Sequence, residues 1–275
     1  MVPLVARPAQ NSLFSVIIPT YDEVCNIERM IARLLALYPG IQVLVMDDNS
    51  RDGTIDVVSS IAARERAVRL FVRAPEDRGL TAAVMEGIGR VTTPYFIVMD
   101  ADFQHPPEVL ADIMSALEGG ADMVVGRRQH KEALNWRRRL SSDAAQFLAH
   151  TYLRAHRRPH PGDIMSGLFG ARTGECQEIA STHGGEFERR GFKVLFDLLK
   201  FAPRSTSVRE IPYLFGDRAS GASKLSPTII TSILRQCGTL GKGAAYVADR
   251  VFLNRSGQVA LLTLVALLGV IIVLT

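Results

Sequence analysis

Short apolar, β-branched runs alternate with amphipathic stretches through the first half of the chain. Phe14 to Ile18 is one such run, closed by Pro19, and predicts a buried strand. Ile27, Met30, Ile31, Leu34 and Leu35 recur at three- and four-residue spacing and predict a helix that ends at Pro39-Gly40. The alternation continues with a strand over Ile41 to Met46, a helix marked by Ile55, Val58 and Ala62, and a strand over Val68 to Val72. A helix over Thr81 to Ile88, a strand over Tyr95 to Met99, a helix opened by Pro107 and a strand over Asp122 to Val125 complete it. This rhythm predicts an α/β fold with a doubly wound, mostly parallel sheet.

Beyond the sheet, Trp136, Leu140, Phe147, Leu148 and Tyr152 mark an amphipathic helix, and Leu225, Ile229, Ile230, Ile233 and Leu234 mark another. Val259 to Leu274 is sixteen residues without a charge. As a helix it would span about 24 Å, against a hydrocarbon core of about 30 Å. The expected organisation is a loose leader over 1–12, a catalytic domain over 13–224, amphipathic interface helices over 225–257 and a transmembrane segment over 258–275. Arg250 and Arg255 just before the apolar tail would hold the preceding domain on the cytoplasmic side, which makes Asn254-Arg255-Ser256 an improbable glycosylation triplet.

Composition sharpens this picture. In 275 residues, 47% hydrophobic and 22% charged content argue against both disorder and a multi-span membrane protein. Three scattered cysteines fit reduced thiols, not a disulfide framework or a zinc site. Lys and Arg outnumber Asp and Glu 32 to 28, and the surplus is concentrated between Arg127 and Arg158, where nine cations face Glu132 and Asp143. Such a block calls for an anionic partner: phosphate, lipid headgroup or nucleic acid.

Doubly wound sheets bind ligands outside the carboxyl ends of their strands. Here those ends carry Pro19-Thr20-Tyr21-Asp22-Glu23, Asp47-Asp48 and Asp100-Ala101-Asp102. No GxGxxG follows the first strand and no P-loop spacing occurs, so ordinary dinucleotide and P-loop readings fail. Asp100 and Asp102, with the amide oxygen of Gln104, form an oxygen-only set suited to Mg2+ or Mn2+. His105 is a possible further ligand, although its place before Pro106-Pro107 suits a helix start better. A nucleic-acid-binding module would use the basic block but leave the acidic strand end and the apolar tail unexplained.

Three segments carry a resemblance: Val16 to Glu23; Val45-Met46-Asp47-Asp48-Asn49-Ser50 with Asp52-Gly53-Thr54; and Met99 to Pro107. In this order and spacing the chain resembles the family 2 glycosyltransferases of the A-type fold. Gly162 to Phe169, Arg190 to Leu195 and Phe215 to Leu225 look like the polyprenyl-phosphate branch, which includes dolichyl-phosphate mannose synthases. The resemblance implies that Pro19, Tyr21, Glu23, Val45 and Asp47 hold the nucleotide, and that Asp100, Asp102 and Gln104 hold a metal bridging its diphosphate. Asp102, Arg128, Arg138, Arg218 and Lys224 would serve the reaction centre, with Ser142 and Arg127 at the acceptor phosphate. Arg127-Arg128 stands where one arginine is usual, three arginines follow Trp136, and Asp163-Ile164 replaces the usual Asp-Pro.

The activity this implies is inverting transfer of mannose from GDP-mannose to a polyprenyl monophosphate by a membrane-anchored enzyme whose catalytic domain is cytoplasmic. Transfer of glucose from UDP-glucose to undecaprenyl phosphate is the alternative. A processive polysaccharide synthase is disfavoured by the absence of a QxxRW-type run.

Overall fold

The computed structural model describes residues 10–129, 136–189, 191, 193–216 and 235–236. Arg218, Lys224, the expected interface helices (apart from Arg235 and Gln236) and the apolar tail lie outside the described residues. Among the described residues, no helix is long and apolar enough to cross a membrane.

A 3-10 turn, Gln10–Leu13, leads into β1 (Phe14–Thr20). There follow α1 (Val24–Leu37), β2 (Gln42–Asp47), α2 (Thr54–Ala62), β3 (Val68–Val72), α3 (Leu80–Arg90), β4 (Tyr95–Val98), α4 (Leu110–Glu118) and β5 (Met123–Gln129). The second part holds α5 (Trp136–Ala155), β6 (Phe169–Arg172), α6 (Thr173–His183), α7 (Val194–Phe201) and β7 (Val208–Leu214). All five strands and the helices anticipated among them occur, with ends moved by a few residues.

The strands form one seven-stranded sheet in the order β3-β2-β1-β4-β6-β5-β7. β1 pairs in parallel with β2 and with β4, and β5 in parallel with β7. Only β6 runs antiparallel, wedged between β4 and β5. Apolar side chains fill both faces of the sheet, as strands buried on two sides require. On β1, Phe14, Val16 and Ile18 pack towards α1, whose Ile27, Met30, Ile31 and Leu34 are buried, while Ile17 packs on the opposite face beside Val84 of α3. Each fully buried Ile or Leu here contributes about 2 kcal/mol of transfer free energy. At the centre, Gly170 of β6 lets α4 press close: a Cβ there would lie 3.0 Å from Ile113 and 3.1 Å from Leu117.

The strand order reverses between β1 and β4, which opens a crevice at their carboxyl ends. The loops after β1, β2 and β4 meet there.

Candidate active site

The β1 and β2 loops are stitched into one wall. The backbone N–H of Asp22 donates to Ser50 Oγ (2.8 Å), that of Glu23 to Thr54 Oγ1 (2.9 Å), and that of Arg51 to Asp22 Oδ1 (2.9 Å). Asp22 and Asn49 both adopt left-handed backbone, which folds the two loops sharply together. Asp47 is fully buried, and its carboxylate accepts from Thr20 Oγ1 (2.8 Å), Ser50 N–H (2.7 Å) and Ser50 Oγ (2.7 Å). Asp47 therefore builds the wall from inside. Its neighbour Asp48 accepts the N–H of Gly79 (2.9 Å) and pairs with the buried Arg73, which also bonds Glu86 and Asp77.

Val45 is buried two residues before Asp47, on the same side of β2. Pro19 is the penultimate residue of β1, and Glu23 anchors the start of α1 by accepting from Asn26 Nδ2 (2.9 Å). Tyr21 stands exposed at the crevice mouth, with the Arg78 guanidinium 5.0 Å above its ring. Arg78 donates to the Asn49 carbonyl (3.0 Å), while its buried Nε has no hydrogen-bond partner among the described residues. The sequence reading did not single out Arg78, because one arginine between two loops carries no pattern.

After β4 the chain makes a tight acidic turn. Asp102 is buried and its Oδ1 accepts the N–H of Gln104 (3.0 Å); Asp100 is the more exposed carboxylate. Phe103, between them and Gln104, has left-handed backbone. Two carboxylates and an amide suit a hard divalent cation, with remaining positions for phosphate oxygens. Among the described residues there is no group of three or more His, Cys, Asp or Glu that could hold a metal ion.

His105 is not turned towards such a metal through Nδ1, since that atom accepts the N–H of Asp100 (3.3 Å). The ring is buried against Tyr213 and Phe215. Burial, assisted by the nearby charges of Arg128 and Lys193 and opposed by Asp102, pushes its pKa down to about 4. His105 is thus a neutral prop beneath the acidic turn. Gly167 passes over it so closely that a Cβ would sit 3.1 Å from His105 Cε1 and 3.3 Å from Asp100 Oδ2.

The two adjacent arginines at the end of β5 separate by strand alternation. Arg127 is exposed, whereas Arg128 turns inward and grips Asp163 through Nε and Nη2, both at 2.8 Å. The backbone N–H of Arg128 donates to the same carboxylate (3.2 Å), and the Phe215 ring lies 5.6 Å from its guanidinium. Asp163 is therefore the residue that fixes Arg128. Lys193, a cation with no assigned role in the sequence reading, donates to the Met165 carbonyl (2.8 Å). Loss of water, reinforced by repulsion from Arg128, lowers its pKa to about 8 against the pull of Asp163 and Asp100.

Arg138 and Ser142 fall in α5, eight and four residues before Gln146, which bonds the Gly162 carbonyl (2.5 Å) and the Met165 N–H (3.3 Å). The side chains of Arg138 and Ser142 lie outside those described. So do Arg218 and Lys224, but the chain is delivered to the acidic turn just before them. Gly216 N–H donates to the Gln104 carbonyl (3.0 Å), and Gln104 Nε2 approaches the Gly216 carbonyl at 3.4 Å.

Known proteins resemble the chain in both sequence and fold. Over 236 residues the chain is 34% identical to the dolichol-phosphate mannosyltransferase of Mycosarcoma maydis, covering 81% of this chain and 76% of that one. A dolichol-phosphate mannosyltransferase of Pyrococcus furiosus is 33% identical over 86% of this chain, which spans 66% of that longer protein. Among solved structures, the glucosyl-3-phosphoglycerate synthase of Mycobacterium tuberculosis, in complex with Mn2+, UDP and glucosyl-3-phosphoglycerate, superposes with a TM-score of 0.58 over 83% of each chain. At 18% identity that likeness shows a shared fold. The Glycosyl transferase family 2 model matches residues 15–175, from β1 into α6, and the chain belongs to that family.

Proposed function

We propose that the chain transfers mannose from GDP-mannose to a polyprenyl, dolichyl-type monophosphate with inversion, yielding a β-linked mannosyl phosphate lipid. The observation that carries this reading is the meeting of two oppositely charged halves. Asp100 and Asp102 present an incomplete metal site, and Arg128 and Lys193 stand beside it with Asp163 as the clamping carboxylate. Arg128 and Lys193 repel each other beside the acidic turn, and a substrate that brings its own negative charge would relieve that repulsion. The mannosyltransferase relatives supply the identity of sugar and acceptor for this proposal.

Asp100, Asp102 and Gln104 would hold Mg2+ or Mn2+, whose chemistry is to neutralise the departing diphosphate. Tyr21, Arg78 and Glu23 line the nucleotide side of the crevice, on the wall that Asp47 braces. Arg128 and Lys193 bring the acceptor phosphate up to the sugar, joined by Arg218 and Lys224 from the sequence after Gly216. A phosphate monoester with a second pKa near 6 is largely dianionic at neutral pH and needs no general base. That agrees with His105, whose Nδ1 is spent on Asp100 and whose ring stays neutral. The apolar tail over 259–274 would anchor the enzyme, with the catalytic domain on the cytoplasmic side, where the lipid phosphate is reached.

The test is donor-by-acceptor activity of the full chain in detergent, with the lipid product identified by mass. A mannosyl phosphate lipid formed from GDP-mannose is expected. Exclusive use of UDP-glucose would replace the donor assignment, and transfer to a water-soluble acceptor alone would remove the lipid.

A further inference from the structure

The basic block does not converge on one centre. α5 is 20 residues long, so about 30 Å separate its ends. Arg154, Arg157 and Arg158 lie at its far end, away from Arg138, and face a different concavity of about 660 Å3. His160 and Arg204 also line it, so its cations come from the helix end, the loop after it and the segment before β7. Arg154, Arg157 and Arg204 have no ion-pair partner among the described residues, and Arg158 is tied to the Ala202 carbonyl through Nη1 (2.8 Å). The lining carboxylate, Glu210, is already engaged: its Oε1 accepts the Asp163 N–H (3.2 Å).

A solvated helix end explains part of this, since a cation near a helix C-terminus is favoured by the dipole. It does not explain Arg204, which belongs to another element. Nor does it explain Arg157, which occupies left-handed backbone (φ 54°) at the close of α5. The N–H of Arg158 bonds the Leu153 carbonyl (2.8 Å) across it, a helix ending in which glycine is the residue at ease. An arginine stands at that position and lines one hollow with three others.

We infer that this hollow is a binding site for a phosphate-type anion, separate from the sugar-transfer centre. Guanidinium groups from different elements can grip several oxygens of one phosphate or diphosphate in forked pairs. The volume admits a phosphorylated molecule larger than a bare oxyanion. Through Glu210 and then Asp163 the site borders the clamp on Arg128, so its occupant sits one hydrogen-bond relay from the reaction centre.

The experiment titrates the full chain in detergent, with a metal chelator present, using pyrophosphate as the soluble probe. A parallel arm measures partition onto phosphatidylcholine vesicles with and without phosphatidic acid. The variants are Arg157→Gly combined with Arg204→Ala, and Arg64→Ala as a distant control. Glycine at position 157 relieves the left-handed backbone, so the double variant should keep its thermal midpoint and its titration of GDP with Mg2+. At least tenfold weaker pyrophosphate binding in the double variant, with Arg64→Ala unchanged, is the expected result and identifies a soluble phosphate ligand. The same loss confined to phosphatidic acid vesicles identifies a lipid headgroup as the source. Wild-type behaviour of the double variant in both arms, or an equal loss in Arg64→Ala, overturns the site.

Discussion

At the scale of single residues, the active centre is governed by which charges are fixed and which can change. Arg128 keeps its proton at any accessible pH and is clamped by Asp163, whereas Lys193 has a pKa near 8 and is the cation that pH can switch off. Lys193 is protonated below that value and neutral above it. The acceptor kcat/KM, which reports the free enzyme, should fall as pH rises through about 8. In Lys193→Arg that alkaline limb should vanish; an unchanged limb would assign it to another group. Asp102→Ala should abolish transfer, because the proposed metal loses a charged ligand, and near wild-type turnover with Mg2+ present would remove Asp102 from the metal site. Arg218→Ala and Lys224→Ala should each lower turnover on the order of a hundredfold, with Arg218→Lys scarcely better because an ammonium cannot fork across two phosphate oxygens. Calorimetric titration of GDP should barely change in these variants. Wild-type turnover in all three would remove Arg218 and Lys224 from the transfer step.

At the scale of elements, the turns that cross over the sheet ends matter more than the strands beneath them. Gly167 lies against both His105 and Asp100, so a methyl group there must push the His105 ring and the Asp100 carboxylate, a proposed metal ligand, by a few tenths of an ångström. Gly167→Ala is expected to raise the Mg2+ requirement and cut turnover at least tenfold while leaving the melting temperature within a few degrees; unaltered metal dependence would show that Asp100 does not need this contact. The same elements show what the sequence could and could not disclose. β1, β2, β4 and β5 were legible because each is a run of apolar residues stopped by Pro, Gly or Asp, and β3 because Val68, Leu70, Phe71 and Val72 still stand out as an apolar run. β6 was not, since Phe-Gly-Ala-Arg is four residues with little side chain to count, and its burial depends on neighbours distant in the chain. β7 was masked by Pro212, which its place at the sheet edge tolerates. In the site, paired carboxylates and the tandem arginines were visible, but the roles of Asp47, Asp163 and Lys193 depend on partners that only folding brings together.

At the scale of the whole molecule, the proposed nucleotide wall is built from residues before α4, while the cations proposed for the transfer step come from β5 onward. Deleting residues 259–275 should therefore leave GDP affinity within about threefold in calorimetry while releasing the protein from vesicles; loss of nucleotide binding in a still-folded truncation would refute the tail's assignment as an anchor. The antiparallel β6 has a further consequence for how the enzyme comes into being. β4 and β5 flank it in the sheet, yet they leave the ribosome some seventy and some forty residues earlier, so the centre of the sheet is an open slot during synthesis. Two parallel-facing edges stay unpaired until β6 threads between them, and only afterwards can β7 bring Gly216 to Gln104. A nascent chain can thus assemble the proposed nucleotide crevice long before it gains the charges proposed for transfer, and on that reading catalytic competence arrives last, with the strands that close the sheet.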